Sequence, residues 1–370
     1  MFAERTGSDQ PPMDGLYPAP PLFSLIDSTG GRQAAESELP DSVDLLAGYR
    51  SLVLGRRLNT QASALVRQGR LAVYPSSHGQ EASQVACAAV LRPGDWMFPT
   101  YRDTVAIVER GVDPVEVLGM LQGNWHCGYD PVKHRVAPQA TPLATQLLHA
   151  VGVGHAARLK NESTVVMALC GDGATSEGDF HEALNFAAVM KAPVIFFVQN
   201  NQYAISVPLA RQSVAPSLAS KGLGYGVPAF RVDGNDLAAL LAVLHQAVAR
   251  AAEGNGPTLI EAETYRIQAH TNADDATRYR SQDEVDGWIA KDPLLRLRSY
   301  LVNEQLLTDE REAEFNADGE AMAARVRAGL SVDRPADPAD LFKFVFATPT
   351  PQLAAQAAQL RAELATEEPS

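Results

Sequence analysis

Two apolar runs, one from Ser163 to Cys170 and one ending at Asn200, constrain this chain more than any other feature. The first is followed directly by Gly171-Asp172-Gly173 and the second closes on Asn200-Asn201, with twenty-six residues between the two motifs. A strand, a tight Gly turn, a helix and a second strand over that span bring one carboxylate and one carboxamide to the same edge of a parallel sheet. Two hard oxygen ligands at a sheet edge suit a magnesium ion that carries a diphosphate. The glycines let backbone approach the phosphates, and a helix expected to begin near Ala174 offers its free N–H groups. Taken alone, Gly-Asp-Gly reads more readily as an ordinary strand-to-helix turn with the Asp as a helix cap. The paired Asn-Asn reverses that preference.

The rest of the chain fits one large α/β domain followed by helices. An amphipathic pattern predicts a long helix over Ser42 to Gln68, ended by Gly69. Gln80 to Val90 is small and apolar enough for a tightly packed helix, and Trp96 to Tyr101 reads as a short buried strand. Leu143 to Leu159 reads as a buried helix, with Gly152 and Gly154 where close packing would need them. Pro228 to Asp233 reads as a strand, Asn235 or Asp236 caps a helix through Ala251, and Gly254 stops it. Pro257 to Arg266 reads as a strand whose end delivers a polar loop. From Pro293 onward the pattern is mainly amphipathic helix, ending in the Ala-, Leu- and Gln-rich stretch Pro351 to Ala365. Residues 1–40, with Pro11, Pro12, Pro18, Pro20 and Pro21, read as a mobile arm or a strap over a partner.

Charge and cysteine content remove several classes. At 370 residues and a net charge of -13, with no basic stripe, the chain suits neither nucleic acid nor an acidic membrane. Its start lacks the pattern of a signal peptide, and no window approaches the roughly 18 apolar residues of a membrane helix. Cys87, Cys127 and Cys170 lie too far apart in sequence to suggest a disulfide framework or a zinc site, which fits a reducing cytoplasm. No Gly-rich Lys-Ser/Thr loop or Gly-x-Gly-x-x-Gly opening supports a nucleotide-binding protein.

Tyr265 to Arg280 concentrates one His, two Asp and three Arg in sixteen residues, too polar for a core element. Polar loops placed by a strand end are where catalytic groups concentrate, although a solvated loop held by its own ion pairs would have the same composition. His78, His126, His134 and His181 have no clear partner in sequence and read as structural or exposed.

The Gly-Asp-Gly opening and Asn-Asn close resemble the thiamine-diphosphate enzymes. The longer text from Gly171 to Met190 resembles the α subunit of the E1 component of 2-oxo acid dehydrogenase complexes, and the likeness spans about residues 70 to 300. It implies a thiamine-diphosphate-binding α/β fold, a parallel sheet flanked by helices with C-terminal helices. Residues 1–40 would then be the arm, 41–300 the cofactor-binding domain and 301–370 a helical tail packed on it. It also implies that Asp172, Asn201 and the backbone oxygen of Tyr203 hold magnesium. Tyr101, Arg102, Thr141, Leu143, Gly173, Ala174, Gln199 and His270 would contact the cofactor. His270 is further expected to assist acyl transfer to a lipoyl group, while Arg266, Asp274, Tyr279 and Arg280 order the loop and support docking. Pro142, Thr145 and Gln146 match positions that hold potassium.

The sequence also departs from that pattern. Gln199 stands where branched-chain relatives have an arginine, Ala140 lacks a potassium-binding hydroxyl, and Thr271 replaces a regulatory serine; we expect Thr271 to carry no regulatory phosphate. The implied reaction is oxidative decarboxylation of a 2-oxo acid, in an α2β2 heterotetramer with a β subunit, with acyl transfer to the lipoyl domain of E2. Asn200 to Ser206 and Ala269 to Asp275 look closer to branched-chain enzymes, of the 3-methyl-2-oxobutanoate type, than to pyruvate enzymes. The alternatives are a pyruvate dehydrogenase subunit and an inactive cofactor-binding scaffold.

Overall fold

A computed structural model describes residues 19–33, 39–123, 127–332 and 337–366. In chain order, β1 (Leu22–Phe23) precedes α1 (Ser42–Arg67), α2 (Glu81–Ala89) and β2 (Trp96–Phe98). Next come α3 (Thr104–Glu109), α4 (Pro114–Gly119), α5 (Pro131–His134) and α6 (Thr145–Leu159). The centre of the chain forms β3 (Val166–Gly171), α7 (Gly178–Met190), β4 (Val194–Asn200), β5 (Tyr203–Ala204), β6 (Val207–Pro208) and β7 (Ala229–Asp233). Then follow α8 (Leu237–Ala252), β8 (Thr258–Glu263), α9 (Gln282–Ile289), α10 (Pro293–Asn303), α11 (Asp309–Leu330), α12 (Asp340–Lys343) and α13 (Pro351–Thr366).

Six strands form one parallel sheet in the order β1-β7-β8-β4-β3-β2, and β5 and β6 make a separate antiparallel pair. The apolar runs of β3 and β4 are continuous because both sheet faces are buried. Met167, Leu169, Ile195 and Phe197 point into one core with α1, α2, α8 and α10. Val166, Ala168, Val194, Phe196 and Val198 alternate into a second core with α6 and α7. A third cluster joins Leu58 and Leu65 of α1 to Val326 and Leu330 of α11, so this tail helix packs on the body. Among the described residues no helix is long and apolar enough to cross a membrane.

The structure departs from the sequence reading at four places. Residues 19–33 of the expected mobile arm are packed: β1 pairs with β7, Leu25 and Ile26 are fully buried, and their N–H groups donate to Asp236 at 2.7 and 2.8 Å. The remaining arm residues, 1–18 and 34–38, lie outside the described residues. β2 stops at Phe98 because Pro99 has no N–H for the ladder. Gly152 has open space around it and is exposed, whereas Gly154 lies where a Cβ would meet Val194 at 3.0 Å; only the second is a packing glycine. The helix expected near Ala174 starts at Gly178, after a 3-10 turn over Asp172–Ser176.

Candidate functional site

Register delivers the two motifs to one place. Gly171 at the end of β3 pairs with Gln199 in β4, and Asn200 pairs with Glu263 in β8, so Asp172, Asn201 and the loop after β8 leave the sheet side by side. They open on a cavity of about 420 Å³, a size suited to a cofactor. Tyr101, Arg102, Thr141, Pro142, Leu143, Gln146, Asp172, Gly173, Ala174, Gln199, Asn201, Tyr203, Arg266 and His270 all line it. Of the residues singled out in the sequence, Thr145, Asp274, Tyr279 and Arg280 do not.

Asp172 is buried, and burial raises its carboxyl above the ordinary range, partly offset by a hydrogen bond from Gln212 Nε2 to Oδ2 at 3.0 Å. The Asn201 side-chain oxygen accepts from the Tyr203 N–H at 3.3 Å. That same oxygen lies 3.2 Å from Asp172 Oδ1 and 3.0 Å from the Tyr203 carbonyl oxygen. Three oxygens facing one another with no proton between them repel. In the protein alone the amide therefore turns over, its nitrogen donating to both; its oxygen would face them only around a bound cation. One carboxylate, one carboxamide and one backbone oxygen are a hard donor set suited to magnesium with a phosphate-bearing ligand. Consistent with so few charged donors, the described residues contain no cluster of three or more His, Cys, Asp or Glu.

The 3-10 turn after Gly171 lies against the β5–β6 hairpin, and a Cβ at Gly173 would sit 2.7 Å from that of Ala204. Glycine is required by this close approach. Thr175 closes the turn by donating to the Asp172 carbonyl at 2.8 Å, and Lys221 Nζ donates to the Thr175 carbonyl at 2.7 Å.

His270 is held between two cations. Arg102 lies 3.0 Å and Arg266 3.4 Å from its Nδ1, and Arg102 also donates to the Ser76 carbonyl at 3.0 Å. Guanidinium groups only donate, so Nδ1 presents its lone pair and Nε2 carries the proton. Burial first, then the charges of Arg102 and Arg266, lower His270 to about 4, against the pull of Asp274. Asp274 accepts from the His270 N–H at 2.7 Å and from the Tyr279 hydroxyl. Tyr279 in turn accepts from Arg266 at 2.9 Å. Arg280 donates to the carbonyls of Arg266, Ile267 and Gln268. Asp274, Tyr279 and Arg280 thus hold the loop that presents His270. Arg266 also ties the loop to the hairpin by donating to the Ile205 carbonyl at 2.7 Å.

Several expectations need restating. The Gln199 amide reaches the cavity wall, but its nitrogen donates to the buried Asp103 at 2.7 Å and its oxygen accepts from Gln84 at 3.3 Å. It is therefore a poor stand-in for a phosphate-binding arginine. Thr145 donates to Asp179 at 3.4 Å, outside the cavity. Gln146 Nε2 donates to the Leu169 carbonyl at 2.8 Å, while its Oε1 is buried with no hydrogen-bond partner among the described residues. His78 meets Gln268 at 3.1 Å and His181 meets the Tyr225 hydroxyl at 2.8 Å; His126 lies outside the described residues. Sequence reading missed Gln80, Gln212 and the Gln84-Asp103-Gln199 network, because none of them carries a local pattern. It also missed the aliphatic lining from Met120, Leu121 and Ile205.

A profile of the family described as "Dehydrogenase E1 component" matches residues 49–327. The chain is 49% identical over 317 residues to 3-methyl-2-oxobutanoate dehydrogenase subunit alpha of Mycobacterium tuberculosis, covering 86% of each protein. It is 37% identical over 327 residues to pyruvate dehydrogenase E1 component subunit alpha of Acholeplasma laidlawii, covering 87% of this chain and 93% of that one. A Staphylococcus aureus protein of the same name is 39% identical over 296 residues, covering 79% and 80%.

Proposed function

The chain belongs to the dehydrogenase E1 component family, and from that premise we propose that it is the α subunit of the E1 component of a 2-oxo acid dehydrogenase complex. Its substrate is a branched-chain 2-oxo acid of the 3-methyl-2-oxobutanoate type, and it passes the acyl group to a lipoyl group of E2. The identity of 49% to a protein of that name, against 37% and 39% to the pyruvate enzymes, carries the substrate choice. When bound, thiamine diphosphate, the family's cofactor, supplies the electron sink for loss of carbon dioxide.

In this reading Asp172, Asn201 and the Tyr203 carbonyl hold magnesium, a role supported by the convergence of a carboxylate, a carboxamide and a backbone oxygen on one point of the cavity wall. The Gly173 and Ala174 N–H groups, with Tyr101 and Arg102, bind the diphosphate, and Thr141 and Leu143 flank the cofactor. Gln146, with its unpaired buried oxygen, joins Pro142 and Thr145 in holding potassium. His270, neutral at physiological pH, offers its Nε2–H as a hydrogen-bond donor beside the cavity. Residues 41–300 form the cofactor-binding domain and 301–370 its helical tail. A β subunit completes the site in an α2β2 assembly, the lipoyl domain of E2 docks at the loop 265–280, and the complex works in the cytoplasm.

The test is steady-state decarboxylation by this chain co-expressed with its β subunit, with thiamine diphosphate, magnesium and an artificial electron acceptor. A clear preference for 3-methyl-2-oxobutanoate over pyruvate is the expected outcome. Preference for pyruvate moves the protein to acetyl transfer, and no turnover on either acid favours a cofactor-binding scaffold.

A further inference from the structure

Gln212 touches the only carboxylate of the three-oxygen cluster. It follows the short 3-10 turn Leu209–Arg211 that continues from β6. Its Nε2 donates to Asp172 Oδ2 at 3.0 Å and to the Val207 carbonyl at 3.1 Å. Two acceptors on one nitrogen fix which way this amide points. Its Oε1 lies 3.7 Å from the position a Gly173 Cβ would take, so the side chain stands against the turn itself.

The consequence falls on Asp172. With Oδ2 occupied by Gln212, Oδ1 is the oxygen left facing the Asn201 side chain, which in turn faces the Tyr203 carbonyl. A neutral donor suits this task. It fixes the carboxylate plane without cancelling the charge a cation needs, as a lysine or arginine would. We propose that Gln212 is a positioning residue, which orients Asp172 so that Oδ1 completes the cation cradle and thereby sets divalent-ion affinity at the diphosphate site. The proposal rests on the cofactor reading above. It adds that the hairpin, through Val207 and Gln212, couples its own conformation to that affinity.

The experiment compares wild type, Gln212→Met and Gln212→Ala, each co-expressed with the β subunit. Mn2+ is titrated in the presence of thiamine diphosphate and followed by electron paramagnetic resonance, which reads the ion rather than turnover. Loss of an oriented second partner to a metal ligand weakens binding by about 10- to 100-fold. We expect that loss in both variants, with turnover depressed at low cation and recovered at high cation. Gln212→Met keeps the side-chain volume and removes the donor, so it carries the test if Gln212→Ala does not fold. Mn2+ affinity within two-fold of wild type in Gln212→Met overturns the proposal, as does an unchanged affinity with a lower melting temperature, which marks a merely structural role. Failure of the wild type itself to bind Mn2+ with thiamine diphosphate overturns the cofactor reading and this inference with it.

Discussion

At the scale of single residues, the site is governed by where protons and charges are held. His270 faces two guanidiniums through Nδ1, which keeps it neutral and leaves Nε2 as its proton-bearing atom. Replacing it with alanine is expected to lower the rate of acyl transfer to the lipoyl group by about 10²- to 10³-fold, the usual size of a lost hydrogen-bond donor to developing charge. Stopped-flow or steady-state assay of the assembled complex checks this. The lowered pKa also has a stability consequence. Between 6.5 and about 4 an unfolded chain takes up a proton at this histidine while the native chain does not. Its contribution is therefore fully present above 6.5 and is lost as pH falls toward 4, because protons then favour the unfolded state. In thermal melts across that window, His270→Gln should show a shallower decline than wild type; parallel curves would contradict the assignment. Of these residues, the sequence exposed His270 and Arg266 through the unusual polarity of their loop. The resemblance put Arg102 at the same cofactor, but nothing in the sequence showed its contact with His270 Nδ1, since Arg102 arrives from 168 residues away.

At the scale of elements, local chemistry predicts what a segment forms and often where it stops. Asp41 caps α1 by accepting from the Val43 N–H, and Gly69 at φ +70° follows its end, both as sequence patterns require. Asp236 was legible as a cap and is more than that. It accepts from the N–H groups of Ala239, Leu25 and Ile26, and it lies 3.5 Å from Arg296, so one buried carboxylate fastens β1 to α8 and α10. Asp236→Ala is expected to cost about 2 to 4 kcal/mol, more than an isolated cap, since it also leaves the buried N–H groups of Leu25 and Ile26 unpaired. Urea unfolding monitored by circular dichroism would measure it, and a loss below about 1 kcal/mol would reduce Asp236 to an ordinary cap. β1 itself was invisible in the sequence. Two residues carry no periodicity, and Leu22–Phe23 is a strand only because the edge of β7 is there to pair with.

At the scale of the whole molecule, the described residues leave large apolar side chains exposed. Leu159, Val189 and Val214 are 67%, 75% and 92% exposed, and α13 buries no residue. Such surfaces fit a subunit that works in an assembly. We expect this chain alone to show no oxidative decarboxylation, and co-expression with the β subunit to give an α2β2 particle by light scattering with activity restored. Robust turnover by the isolated chain would remove the need for a partner. By itself the sequence determined the α/β class, the two strand-end motifs, the long helices and the chemistry of the polar loop, because strand burial, turns and caps are decided by neighbouring residues. Only the tertiary structure decided that β1 joins the sheet, that Gln199 is spent on Asp103 and Gln84, and that Gln212 holds Asp172. Those are contacts between segments far apart in the chain, and no local pattern records which side chains a packed sheet edge will bring within hydrogen-bond distance of each other.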